Sequence, residues 1–322
     1  MNRKNLLYTS SALLVGQALS STKLEAQERS LEMIDTHQHL WDLDIFELPW
    51  NKKGSGGPLA RNFVTSDYLE ATRGFNIVQV LYMEVNVAPH QKMKEALHVL
   101  ELCRSSDHPT TAAVISGPVE SADFRPYIKK LSQHPEIKGV RRVLHGKVAK
   151  GTCLQPQFVK NMQLLGELNL NFDLCMRPDD LEDALKLVEQ CPETRFVIDH
   201  CGNVHPGSYA NHSRSSIDQR RAWQRDMMML AEHPQVYCKI SGMVHKMESG
   251  KWSADDLAAP INFCMDTFGP DRVVFGSDWP VCNLGSAYRE WVEALKQVVK
   301  DRPLEDQKKL FSENAIKCYR LS

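Results

Sequence analysis

Eight short runs rich in β-branched and apolar residues recur along the chain, separated by stretches with helical spacing, and this alternation limits the fold more than any other feature. The runs are Leu31–Thr36, Ile77–Glu84, Ala112–Gly117, Ile137–Val143, Asn171–Met176, Arg195–His200, Val236–Ser241 and Val273–Ser277. Between them Gln91–Arg104, Phe124–His134, Gln157–Leu168, Asp180–Gln190, Asp218–Glu232 and Asp255–Phe268 each carry one apolar stripe at helical period. Start signals mark two helices, with Ser66-Asp67 before Tyr68–Arg73 and Pro178-Asp179-Asp180 after the fifth run. Strand cores as continuously apolar as Ile77-Val78-Gln79-Val80-Leu81 belong to a parallel sheet covered on both faces. Eight such units predict an α/β fold, a single (β/α)8 barrel of the TIM type, and 322 residues hold one such barrel of ~250 residues with its insertions. The alternative is a doubly wound open sheet. No GxGxxG follows any run, which leaves its dinucleotide-binding form without support.

The first 26 residues read differently from the barrel predicted over 27–322. Arg3 and Lys4 precede a moderately apolar stretch from Leu6 to Leu19, with small residues at Ala18, Ser20 and Ala26. This is the pattern of an export signal, and it predicts a periplasmic enzyme. The stretch is too short and too polar for a spanning helix, which needs ~20 apolar residues. Balanced charge, 39 Lys+Arg against 40 Asp+Glu, offers no field for nucleic acid or for a membrane surface. The expected partner is a small-molecule substrate, with self-association left open. Nine cysteines show no CxxC or CxxH spacing, and Cys175, Cys201 and Cys238 fall within or beside strands, so they read as packing residues.

Chemistry concentrates where strands end. Within Asp35-Thr36-His37-Gln38-His39 the two-residue period sends Asp35, His37 and His39 to one face, bringing two imidazoles into the barrel mouth together. Such a pair can ligate one ion or direct two donors at one substrate oxygen. Alone it reads equally well as two hydrogen-bonding histidines at a strand end. The sixth run ends in His200, with Phe196 and Ile198 of the same parity expected to fill the barrel beneath it. The eighth places Val274, Gly276 and Asp278 on one parity, pointing inward, before Pro280 stops the strand. An inward carboxylate could be a simple ion-pair partner, but convergence with three histidines favours catalysis by His37, His39, His200 and Asp278. The long irregular stretches 41–62 and 202–216 follow strands, on the face where barrel enzymes keep their chemistry.

Taken in order, DTHQHLWD at Asp35–Asp42, GVRRVLHG at Gly139–Gly146, IDHCGN at Ile198–Asn203, CKISG at Cys238–Gly242 and FGSDWPVC at Phe275–Cys282 resemble the amidohydrolase superfamily. The likeness is to its amidohydrolase-related branch, which includes sugar-lactone hydrolases and 2-pyrone-4,6-dicarboxylate lactonase, and it runs from about Leu31 to the C-terminus. It implies that His37, His39, His200 and Asp278 are the central residues and the candidate metal ligands. Binuclear members carry a carboxylated lysine or glutamate at the end of strand four and a histidine on strand five. This chain has Arg141-Arg142-Val143 and Phe172-Asp173-Leu174-Cys175-Met176-Arg177 there. The expectation is therefore one divalent ion, zinc by its tolerance of nitrogen ligands, or no metal.

Arg141 shares the parity of Gly139 and Val143 and would present a fixed cation to substrate, or else form an ion pair across the rim. Glu84, Arg177 and Trp41 complete the substrate-binding candidates, with Trp50 and Trp279 as further apolar walls. Lys239 reads as the buried partner of a carboxylate, and His145, His205 and His245 as exposed loop histidines. The resulting expectation is hydrolysis of a lactone, Asp278 taking a proton from water while the histidines or one metal ion stabilise the oxyanion. The rivals are a metal-dependent decarboxylase on the same fold and a non-catalytic exported sugar-binding barrel.

Overall fold

The computed structural model describes residues 31–209 and 212–322, so the proposed export signal lies outside the described residues. Eight parallel strands pair in chain order, β1 (Met33–Gln38), β2 (Ile77–Met83), β3 (Thr110–Ile115), β4 (Ile137–Leu144), β5 (Asn171–Met176), β6 (Phe196–Ile198), β7 (Val236–Ile240) and β8 (Val273–Phe275). The ring closes where Asp278 N donates to the His37 carbonyl at 2.9 Å and His39 N to the Trp279 carbonyl at 2.7 Å. The expected (β/α)8 barrel is therefore the fold, with helices between successive strands. Among the described residues no helix is long and apolar enough to cross a membrane.

Strand alternation divides the core in two. Val80, Tyr82, Ala113 and Ile115 pack outward under the helices, whereas Leu81, Met83, Ala112 and Val114 turn inward and meet Ile34, Val197 and Val274. The last helical segment of the chain, Asn314–Tyr319, contributes Cys318 and Tyr319 to this inner cluster. Arg195 NH1 and Asn171 Nδ2 both donate to the Cys318 carbonyl at 3.0 Å, which fastens that segment at the starts of β5 and β6. It floors the barrel end opposite the loops that carry the chemistry.

Local chemistry sets the helix starts. Arg214–Ala231 begins a turn earlier than its apolar stripe implies because Ser213 Oγ accepts from Ser216 N. Ser253 and Asp256 form a capping box at the head of Ala254–Phe268, where Asp256 Oδ2 accepts from Ser253 N at 2.8 Å.

The expected facing of β6 is reversed. Phe196 and Ile198 join the outer core, and Val197 and Asp199 face the barrel interior. His200 enters by another route: His200, Cys201, Gly202 and Asn203 all have φ between 51° and 66°. Three non-glycine residues in that region cost roughly 1–2 kcal/mol each, so the turn persists only because its surroundings fix it. Trp223 Nε1 donates to the Cys201 carbonyl at 2.9 Å and Asn203 Nδ2 to the Met176 carbonyl at 2.8 Å.

Candidate active site

At the C-terminal end of the strands, His37 Nε2 and His39 Nε2 lie 3.2 Å apart, and Asp278 Oδ1 lies 3.6 Å from the first and 3.4 Å from the second. Hydrogen bonding fixes what these atoms are. The Met83 carbonyl, 3.0 Å from His39 Nδ1, can only accept, so Nδ1 carries a proton and the Nδ1–H tautomer turns the lone pair of Nε2 towards the mouth. Burial holds the His37 ring well below its usual pKa and hence neutral, and its Nε2 accepts from Arg141 NH1 at 3.1 Å. Three acceptor atoms thus point at one another across 3.2–3.6 Å.

Asp35, expected beside them, does not reach the mouth. Its carboxylate accepts from Tyr68 Oη at 2.8 Å and from Ser277 N at 2.8 Å, which ties β1 to β8 and to the helix Thr65–Ala71. The strict two-residue period fails because β1 shifts register between Asp35 and Gln38.

His200 rests against His37, ring centroids 4.6 Å apart, with Nδ1 2.8 Å from Ser241 Oγ. Burial lowers its pKa to about 4, so the ring is neutral at pH 7. The room for it depends on Gly242, at φ +64°, where a Cβ would stand 2.3 Å from His200 Nδ1. Gly276 plays the same part for His37, whose Cβ would lie 2.8 Å from a Cβ at 276. Burial opposes the Asp278 charge, but the imidazoles of His200, His245 and His39 around it outweigh that and hold the carboxyl well below its usual range. Asp278 Oδ2 is buried without a hydrogen-bond partner, and His245 Nδ1 lies 3.6 Å from it. His245 therefore belongs to the site, a correction to its reading as an exposed loop histidine, whereas His205 is exposed.

Beneath the histidines runs a buried charge network that motif spacing alone does not reveal. Lys239 Nζ donates to Asp173 Oδ2 at 2.6 Å and lies 3.1 Å from Asp199 Oδ1 and 3.3 Å from His37 Nδ1. From the floor, Tyr319 Oη donates to the same Asp173 oxygen at 2.7 Å. Burial works against the Lys239 ammonium, yet Asp173 and Asp199 hold its pKa above the ordinary value. Arg141 spans the next gap, with Nε 2.7 Å from Glu84 Oε1, NH2 2.9 Å from the Glu84 carbonyl and NH1 3.7 Å from Asp199 Oδ2. Four buried carboxylates, Glu84, Asp173, Asp199 and Asp278, thus surround two buried cations, Arg141 and Lys239. Neither oxygen of Asp199 has a hydrogen-bond partner. Asp199 is the site residue that sequence reasoning passed over. The signal available was a carboxylate in the strand Phe196-Val197-Ile198-Asp199, one parity step from Val197.

The mouth opens into a cavity of ≈ 480 Å³. Trp41 and Trp50 form one wall, ring centroids 5.5 Å apart, and Arg141 and Asp278 stand at its base. Trp279 packs behind them against Phe63 and Tyr68. Arg177 lines the cavity but is committed to the protein, with Nε 2.6 Å from Asp180 Oδ2 and its other nitrogens on the Gly146 and Val148 carbonyls. Glu84 reaches substrate only through Arg141. All nine cysteines are buried as free thiols, Cys175 against the cavity, and Cys201, Cys238 and Cys264 converge with their sulfurs within 4.8 Å of one another, a grouping their spacing gave no reason to expect.

Residues 34–321 match the family model described as amidohydrolase. The chain belongs to the amidohydrolase family. Among curated relatives, an L-fucono-1,5-lactonase of Burkholderia multivorans is 25% identical over 296 residues, covering 89% of this chain and 96% of the relative. An L-rhamnono-gamma-lactonase of Scheffersomyces stipitis is 23% identical, over 90% and 99% of the two chains. A Burkholderia multivorans amidohydrolase solved with bound zinc shares the fold at a TM-score of 0.79 and 22% identity, covering 90% of this chain and 99% of its own. This amidohydrolase is thus a hydrolase on a barrel whose relatives include a zinc-binding member.

Proposed function

We propose that this amidohydrolase opens a lactone ring, with one divalent metal ion held by His37, His39 and Asp278. The observation that carries the reading is the acceptor triangle of His37 Nε2, His39 Nε2 and Asp278 Oδ1. Lone pairs 3.2–3.6 Å apart repel unless a cation sits among them. Ligands of a tetrahedral zinc bonded at ~2.0–2.1 Å stand roughly 3.3 Å apart, which suits these separations. The excess of buried carboxylates over buried cations around them favours the same divalent charge. A bound ion supplies Lewis-acid polarisation of the carbonyl and lowers the pKa of water.

The chain's own groups divide the remaining work. Asp278 Oδ1 belongs to the triangle, and Oδ2, buried and unpartnered, takes the proton from the attacking water. His200, neutral and fixed through Nδ1 by Ser241, keeps its Nε2 for the carbonyl oxygen as negative charge develops there. Arg141 NH1 is not spent on Glu84, and its bond to His37 Nε2 would give way where an ion takes that lone pair, which makes NH1 the second donor available to that oxygen. When the ring C–O bond breaks, Asp278 returns its proton to the leaving alkoxide. The product is a hydroxy acid, whose ionisation releases one proton to solvent.

The names of the two lactonase relatives support a lactone as substrate. A panel of fucono-, rhamnono- and galactono-lactones in weakly buffered pH indicator tests the reading. Acidification dependent on the protein is expected. Binding without turnover across the panel and across simple esters would overturn it in favour of a receptor, and carbon dioxide release from an aromatic acid would favour a decarboxylase.

A further inference from the structure

The cavity is unevenly charged. Its charged walls apart from histidine are Arg141, Arg177, Lys246 and Asp278, three cations against one carboxylate. Two of the cations have internal acid partners, Glu84 for Arg141 and Asp180 for Arg177. Lys246 differs. Its Nζ bonds to the Asn203 carbonyl oxygen and lies 3.4 Å from Asn203 Oδ1, and no carboxylate among the described residues pairs with it. Both groups that hold it are neutral, and Asp278 acts on it only through space across the cavity, so its ammonium stands on a wall of the substrate cavity with no carboxylate bonded to it. Two turns fix the position, the short helical turn Met243–Lys246 after β7 and the left-handed turn that carries His200. Partial burial draws the amine down to about 8, which still leaves most of it protonated at pH 7.

A partly desolvated ammonium whose hydrogen-bond partners are all neutral is stabilised by an anion that pairs with it directly. No internal carboxylate bonds Lys246, so an anion that pairs with it directly would arrive with the ligand, and the cavity holds a small ring with its reacting carbonyl near Asp278 and one substituent towards Lys246. We propose that Lys246 recognises a carboxylate carried by the substrate, so that the preferred substrate is an acidic lactone and not a neutral sugar lactone. This rests on the lactonase reading and narrows it.

A matched pair tests it: galactono-1,4-lactone and galactaro-1,4-lactone differ only in having a terminal CH2OH or a terminal carboxylate. The expected result is a kcat/KM at least about tenfold higher for the acid, the scale of one charge-assisted hydrogen bond in a partly desolvated site. Lys246→Met should collapse that ratio, chiefly through KM for the acid, and Lys246→Arg should restore much of it. Equal or greater preference for the neutral lactone, or a Lys246→Met variant that leaves the ratio unchanged, overturns the proposal while the lactonase reading stands. If neither these lactones nor the panel above is opened the lactonase reading fails, and binding decides the remaining question. Galactarate should then raise the melting temperature of the wild type and not that of Lys246→Met, and equal shifts in both overturn the assignment.

Discussion

Replacing Gly242 by Ala builds a methyl group against the imidazole of His200. The new Cβ would stand 2.3 Å from Nδ1, and ordinary contact begins at 3.4 Å, so the ring must retreat by about 1 Å. It has little freedom to do so, because the backbone of His200 is already left-handed at φ 56° and its ring packs on His37. Alanine at φ +64° adds roughly 1–2 kcal/mol of backbone strain. The lost His200–Ser241 hydrogen bond adds about 1 kcal/mol. Together these give about 2–3 kcal/mol of destabilisation, a melting temperature lower by roughly 5 °C in a chain of this size. A misplacement of about 1 Å in a group that meets the developing oxyanion lowers kcat on the order of 100-fold. Ser241→Ala is the comparison, since it removes the same bond without the clash and should cost much less of each. Scanning calorimetry and steady-state turnover of both variants decide the matter. A Gly242→Ala enzyme with kcat within twofold of the wild type would refute the placement of His200.

Four other outcomes follow from the geometry. Asp278→Asn keeps the shape and removes the basic oxygen, so kcat should fall by about 10²–10⁴-fold, read by the same acidification assay. Lys239→Met leaves Asp173 and Asp199 buried without their shared cation and should lower stability by about 3–5 kcal/mol in urea unfolding. Tyr319→Phe removes one hydrogen bond to Asp173 and should cost about 1–2 kcal/mol, the barrel remaining folded by circular dichroism. His200 titrates near 4 when folded and near 6.5 when unfolded, so between those values the unfolded chain binds more protons. Metal-free protein should therefore lose stability as pH falls from about 6.5 to 4, and His200→Asn should flatten that part of the profile.

The barrel was legible because its signals are local. Strand β5 begins and ends where its apolar run does, and β2, β4 and β7 differ from theirs by a residue at one end. The inward parity of Arg141 and of Val274 likewise follows from the strand period in β4 and β8, whereas Asp278 lies beyond β8 in left-handed backbone at φ 58°, where the period no longer applies. The period misleads where the backbone leaves the extended region. At β6 the left-handed turn brings His200 inward on the wrong parity, while ordinary alternation from Val197 puts the extended Asp199, not Ile198, inside. At β1 the register shift separates Asp35 from His37. The Tyr319–Asp173–Lys239 column joins residues up to 146 positions apart, and neither partner of such a contact announces the other. His245 and Lys246 sit in a short turn after β7 whose direction depends on Gly242, so no periodicity could place them beside Asp278.

Metal content of the purified protein, measured beside activity before and after chelation, tests the central claim most directly. About one divalent ion per chain is expected, lost with turnover on chelation, restored by zinc, and absent from His37→Asn, His39→Asn and Asp278→Asn. Full lactone turnover by protein shown to be free of metal would contradict the assignment of the acceptor triangle.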